Sequence, residues 1–132
     1  LSDFDNNRDY FFPTFFQENI EKKFEIRTLY LNEKCYSTAI FSQNDEKTKL
    51  DFRHYNYNRP NRTPSFTLPD NIESSIKILM NSLSMNSGSL DLIYTQNKDF
   101  VFLEVNPVGQ YEQVSNPGNY YLDKIIAKTL TN

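Results

Sequence analysis

Two β-rich runs, FEIRTLYL at Phe24–Leu31 and KCYSTAIFS at Lys34–Ser42, stand only two residues apart. A link as short as Asn32-Glu33 reads as a tight hairpin, so the two runs pair as antiparallel strands. A second pair lies further on, Ser89–Tyr94 and Phe100–Val105, joined by Gln96-Asn97-Lys98-Asp99. Between the two pairs, Ile72, Ile76, Leu79, Met80 and Leu83 recur at helical spacing and predict a helix over Asn71–Leu83. Asp70 is placed to cap it, with Glu73 completing a capping box. A last helix is expected over Tyr120–Leu130, its inner side carrying Leu122, Ile125, Ile126, Thr129 and Leu130. The architecture expected is α+β, a mostly antiparallel sheet with helices packed on one face and the other face left open as a cleft wall. That exposed apolar wall also leaves dimerisation open.

With 132 residues, 38% of them hydrophobic, and 11 Phe and 9 Tyr, the chain can fill one domain core. Residues 1–10 read as a frayed segment, and an aromatic cluster follows from Phe11 to Phe16. The loop from Tyr55 to Pro69, rich in Asn, Arg, Tyr and Pro, is long enough to read as functional or mobile. Net charge is −3 with the basic residues dispersed, which favours neither nucleic acid nor a membrane surface. No apolar run approaches the length of a membrane span, and a cytoplasmic location is the default. Cys35 is the single cysteine and sits in a strand-like run, where a small buried thiol is expected. His54 is the single histidine, so an imidazole-rich metal site or a Ser/His triad has little material. Three glycines, Gly88, Gly109 and Gly118, are too few for a phosphate-wrapping loop. The first residue is Leu1 rather than Met, and the chain reads as a piece of something larger.

The stretch FLEVNPVGQY, Phe102–Tyr111, places a carboxylate at Glu104 and an amide at Asn106 on one face of an apolar strand. If Gln96–Asp99 is a four-residue loop, Thr95 faces Phe100 and Asp91 falls directly opposite Glu104. Like charges so placed are unfavourable, and a cation reverses the sign. Asp91, Glu104 and Asn106 are oxygen donors that suit Mg²⁺, or Mn²⁺, rather than zinc. Two plainer readings stand beside this one: Glu104 and Asn106 on a solvated face, or Asp91 paired with a basic residue. Arg27 and Arg53 lie in apolar strand-like segments, and each either meets an anionic ligand or bridges Asp91, Glu25 or Asp51. Lys22-Lys23 reads as solvent-facing.

The runs PTFFQENIEKKFEIR, IFSQNDEKTKLDFR, SGSLDLIY and FLEVNPVGQY, in that order, resemble the carboxyl-terminal half of an ATP-grasp ligase. The peptide-maturing branch, with its microviridin-type and grasp-with-spasm graspetide enzymes, is the nearest in pattern. The resemblance covers 11–132. It implies Asp91, Glu104 and Asn106 as ligands of Mg²⁺ bridging ATP phosphates. It implies Gln17, Glu18, Asn19 and Ile20 as the hinge at the adenine edge, with Phe15 or Phe16 packing nearby, and Glu25 at the ribose. Arg53 then stabilises the transferred phosphoryl group, assisted by Arg27 and Lys49. The implied parent activates a side-chain carboxylate of a precursor peptide as an acyl phosphate and closes an ester or amide macrocycle. The family's amino-terminal domain and phosphate-covering subdomain have no counterpart here, so the isolated chain is expected to be inactive. Alternatives are a ligase adding amino acids to a small molecule or a ribosomal protein, and a non-catalytic binding or dimerisation module.

Overall fold

The computed structural model describes residues 13–131. The segment expected to fray over 1–10, together with Phe11 and Phe12, lies outside the described residues. Five strands form one sheet: β1 (Lys22–Leu31), β2 (Lys34–Ile40), β3 (Ser65–Phe66), β4 (Ser87–Thr95) and β5 (Phe100–Asn106). Their order is β3-β2-β1-β4-β5, every pairing antiparallel. Three helices complete the fold, α1 (Asp70–Ser82), α2 (Glu112–Gly118) and α3 (Leu122–Leu130). The α+β expectation holds. No helix among the described residues is long and apolar enough to cross a membrane.

The Asn32-Glu33 hairpin forms as expected, with φ of 45° and 65° at its two residues and Leu31 facing Lys34. Two consecutive left-handed residues are what the right-handed strand twist requires of a two-residue link. β1 is the central strand, and it is buried without interruption from Glu25 to Leu31 because both of its faces are covered. On one face Ile26 and Tyr30 meet Leu90 and Leu92 of β4 and Ile76 and Met80 of α1, with Leu68 closing the layer. On the other, Leu29 and Leu31 meet Val114 of α2 and Leu122 of α3. The helices therefore do not share one face: α1 covers one side of the sheet, and α2 and α3 cover part of the opposite side. The reason is the period of two, which turns Leu29 and Leu31 away from Ile26 and Tyr30 and leaves two apolar stripes to bury.

The first turn of α1 departs from the expected capping box. Pro69 occupies the cap position, Asp70 is already helical, and no side chain caps the helix. The Pro69 carbonyl instead accepts from the backbone N–H groups of Ile72 and Glu73, while Asp70 and Glu73 still place negative charge near the helix N-terminus. Leu83 and Leu130, expected on inner stripes, are exposed. Cys35 packs against the first core, where burial pushes its thiol pKa up to about 12, as a structural cysteine requires.

Tyr120 ties the α2–α3 connection to the sheet. Its hydroxyl donates to the Ser37 carbonyl at 2.7 Å and its ring meets Tyr36 edge-on. Tyr120→Phe is expected to cost about 1 kcal/mol, the net worth of one such hydrogen bond. Denaturant unfolding would measure it, and a loss under about 0.3 kcal/mol would mean that water replaces the bond freely.

Candidate functional site

The second face of the sheet is not wholly covered, and its open part carries the polar residues singled out from the sequence. Register sets their positions. Arg27 lies opposite Asp91, and Asp91 opposite Glu104, so that β1, β4 and β5 each give one charged residue to a single transverse row. Thr38 of β2 extends the row on the other side of Arg27. One row along, Leu29, Ser89 and Asn106 are paired in the same way.

The Asp91–Glu104 pairing was expected, but the structure reaches it by another route. Phe100 pairs with Tyr94 rather than Thr95, Phe102 pairs with Leu92, and Leu103 is left over as a bulge before Glu104 meets Asp91. The residue gained at the hairpin tip is absorbed by the bulge. Phe24, Tyr94 and Phe100 explain the tip register: Phe24 stacks on Tyr94 with centroids 4.8 Å apart, and Phe100 meets Tyr94 edge-on at 4.9 Å, which holds Phe100 beside Tyr94.

A cleft of about 250 Å³ opens over this row. Its walls bring together Gln17, Glu18, Asn19, Ile20, Glu25, Arg53, Asp91 and Glu104, four stretches that are far apart in sequence. Lys49 lines an adjoining hollow with Asn19 and Ile20. Arg27 and Asn106 do not line the cleft. Arg27 lies beneath it, its Nε 3.8 Å from Asp91 Oδ1, while the Asn106 side-chain oxygen accepts from the Val108 N–H at 3.0 Å and shapes the turn after β5. That turn presses on the sheet: a Cβ at Gly109 would meet Ser89 Oγ at 2.8 Å and Leu29 Cδ1 at 3.2 Å, so a larger residue there makes Ser89 shift. Phe15 and Phe16 are exposed.

Several of these side chains are engaged with one another. Arg53 makes a forked pair with Asp51, Nε to Oδ1 at 2.9 Å and Nη2 to Oδ2 at 2.8 Å, while remaining exposed. That hydrogen bond holds the Asp51 carboxyl below its ordinary pKa. The bridging alternative is thus realised for Arg53 with Asp51, and for Arg27 with Asp91. Glu25 is buried, receives the Ser42 hydroxyl on Oε2, and has Lys22 Nζ 2.5 Å from Oε1. Lys49 pairs with Glu46 at 3.5 Å in the open.

Lys22 is a correction to the sequence reading. A bulge at Lys23 turns it onto the cleft side, where its amine donates to the Leu50 carbonyl at 3.0 Å and its side chain is 10% exposed. Nothing in the run EKKFE signals that bulge. Lys22 thereby joins β1 to the loop that carries Arg53. Ser42 and Thr48 were also missed; both are buried, with Thr48 Oγ1 donating to the Ser42 carbonyl at 2.8 Å, so that this loop is fastened to the sheet at two levels.

The row fits a hard divalent cation by its chemistry. Asp91 is held above its ordinary pKa by burial first, with Glu104 adding to the effect, while Arg27 offsets only part of it. Three buried polar atoms lack hydrogen-bond partners among the described residues, Arg27 Nε, Thr38 Oγ1 and Ser89 Oγ, Glu25 Oε1 has only its ion pair with Lys22, and all belong to the cleft-side face. No group of three or more His, Cys, Asp or Glu side chains gathers among the described residues, and the row offers two carboxylates, Asp91 and Glu104.

No family model matches the sequence, and no curated protein does. Solved structures do match. A Chryseobacterium gregarium RiPP-associated ATP-grasp ligase, in complex with ADP and a leader and core peptide, is 30% identical over 76% of this chain and 30% of its own, with a TM-score of 0.71. The macrocyclase MdnC of Microcystis aeruginosa, bound with precursor peptide MdnA, is 32% identical over 88% of this chain and 36% of its own, TM-score 0.72. MdnB of the same organism, also a macrocyclase, is 28% identical over 87% of this chain and 40% of its own, TM-score 0.69. The chain thus spans 30% to 40% of the length of these proteins. In sequence and in fold together, it matches a fragment of the RiPP-associated ATP-grasp ligases.

Proposed function

We propose that this chain is the metal- and nucleotide-holding part of an ATP-dependent ligase that joins a side-chain carboxylate of a ribosomal precursor peptide to a hydroxyl or amine of the same peptide. The observation that carries the reading is the convergence of Gln17–Ile20, Glu25, Arg53, Asp91 and Glu104 on one cleft, on a fold shared with peptide-bound ATP-grasp ligases.

Each residue then has a task. The backbone of Gln17–Ile20 borders the adenine, and Glu25, fixed by Ser42 and Lys22, faces the ribose. Asp91 and Glu104 would hold the divalent cation, which neutralises phosphate charge when bound, and Asn106 would join them only by turning its side-chain oxygen from the Val108 N–H. In the first step a carboxylate oxygen of the peptide attacks the γ-phosphorus of ATP and ADP leaves. In the second, the hydroxyl or amine attacks the acyl carbon, phosphate leaves, and a proton is lost. Positive charge aimed at the transferred group is what phosphoryl transfer demands. Arg53 provides it by leaving Asp51, its guanidinium being the exposed end of that pair. Lys49 stands at the adjoining hollow.

The test is calorimetric titration of the chain with Mg²⁺ and a non-hydrolysable ATP analogue, beside Glu104→Gln. Weak binding lost in the variant is the expected result, by a factor of about 10 or more, since a metal-ligating carboxylate is replaced by a neutral amide. Equal binding by the two proteins would remove Glu104 from the site.

A further inference from the structure

Arg27 stands between two neighbours of opposite kind. On the β4 side its cross-strand partner is Asp91, and on the β2 side it is Thr38. The approach to Asp91 is loose, since 3.8 Å from Nε to Oδ1 is an ion pair without a hydrogen bond. The Arg27 side chain is 9% exposed and Thr38 is wholly buried, yet neither Arg27 Nε nor Thr38 Oγ1 has a hydrogen-bond partner among the described residues. A buried donor and a buried acceptor on adjacent positions of one face, both unsatisfied, are costly and call for an explanation.

We propose that Arg27 is the resident counter-cation of the Asp91–Glu104 pair, and that a divalent cation arriving there displaces its guanidinium toward the Thr38 hydroxyl. This rests on the metal reading given above. Within the row Arg27 reaches Asp91 alone, two strands from Glu104, while Arg53 acts on both carboxylates from the cleft wall, so Arg27 relieves their repulsion only in part. Once a divalent cation sits on those carboxylates, the guanidinium becomes a like charge beside it and loses its claim on Asp91. The loose contact makes release cheap, and Thr38 Oγ1 offers an acceptor one strand away on the same face. Metal affinity is then set by a competition: Arg27 protects the carboxylates when the site has no metal and lowers the affinity of the metal that replaces it.

Mn²⁺ reports this directly, because the paramagnetic resonance signal of the free aquo ion falls as the ion binds. Wild type is titrated first. Arg27→Met, which keeps the aliphatic bulk, is expected to bind Mn²⁺ about tenfold more tightly, as removal of a neighbouring like charge in a partly buried site predicts. Arg27→Lys, which keeps the charge, should stay near wild type. Thr38→Val exchanges an unsatisfied hydroxyl for a methyl of the same shape. It should leave the melting temperature of the metal-free chain unchanged or higher, yet weaken Mn²⁺ binding about threefold, an effect that vanishes when combined with Arg27→Met. Arg27→Gln, polar and neutral, replaces the methionine variant if that one fails to fold.

Failure of wild type to bind Mn²⁺ would remove the metal reading and the competition with it. Binding by wild type together with equal or weaker binding by Arg27→Met would leave the metal reading standing and overturn the displaced counter-cation. A Thr38→Val effect that persists without Arg27 would overturn the role of Thr38 as receiver.

Discussion

Asp91→Asn is expected to abolish divalent-metal binding while leaving the metal-free chain as stable as before, or more stable. The two effects separate because the carboxylate sits where burial and Glu104 disfavour its charge more than Arg27 favours it, as the upward direction of its pKa records. The gain at neutral pH is expected to reach at most about 1 kcal/mol, the scale of a cross-strand charge pair. Its pH dependence has a definite sign. A carboxyl whose pKa is higher in the folded than in the unfolded chain binds its proton more tightly when folded, so its contribution is favourable in acid and is lost as pH rises through the folded value. The advantage of the variant over wild type should therefore appear as pH rises above the ordinary carboxyl value of 3.8 and close again below it. Thermal melts of both proteins across that range, with Mn²⁺ titrations at neutral pH, check the pair of claims. A variant that is destabilised at neutral pH would mean that the Arg27 pairing dominates the site.

The largest expected change in stability lies one residue away. Leu90 is fully buried between β1 and α1, in the layer that holds Ile26, Tyr30, Ile76 and Met80. Leu90→Ala should cost about 3–4 kcal/mol, within the range for large-to-small changes in packed cores, and a domain of this size has only about 5–15 kcal/mol to lose. The same substitution should loosen the site, because Ser89 and Asp91 flank Leu90 and face the cleft side. Urea unfolding gives the first quantity and Mn²⁺ affinity the second. A loss under about 1 kcal/mol would show that the interface under α1 closes over the gap.

Where local chemistry dictated structure, the sequence was readable. The Asn32-Glu33 hairpin follows from its two-residue link and the Ile76 and Met80 stripe of α1 from a spacing of 3.6, while Asp91 meets Glu104 as expected only because the Leu103 bulge offsets a tip register that the sequence did not reveal. What it concealed depends on contacts between distant segments. α2 went unseen because Pro117 and Gly118 read as breakers, yet they stand at the end of a short helix that Asn119, at φ 54°, terminates. β3 consists of two residues, Ser65 and Phe66, held by Ser37 and Thr38 in a loop with no pattern of its own. The split of the helices between two faces was implicit in the unbroken burial of β1, but a run such as EIRTLYL gives no hint of which helix takes which side. Among the site residues, Glu25, Arg53 and Gln17–Ile20 line one cleft. The ties of Lys22 to the Leu50 carbonyl and of Ser42 to Glu25 required coordinates, because each joins segments whose approach is set by the tertiary fold, whereas Arg53 and Asp51 stand two residues apart and their pairing was among the sequence alternatives.

The extra residue at Leu103 divides one hairpin into two mechanical zones. Toward the tip, alternation is governed by rings, with Phe100 held against Tyr94; toward the base, it is governed by Val105 and Asn106 opposite Leu90 and Ser89. A straight ladder would have to satisfy both zones with one phase, and the tip register alone would turn Glu104 toward α1. The bulge acts as a phase shifter between them. Selection can then reshape the loop or its aromatic anchor while the carboxylates keep their aim, so that the part of the hairpin open to variation and the part bound to chemistry are free to change at different rates.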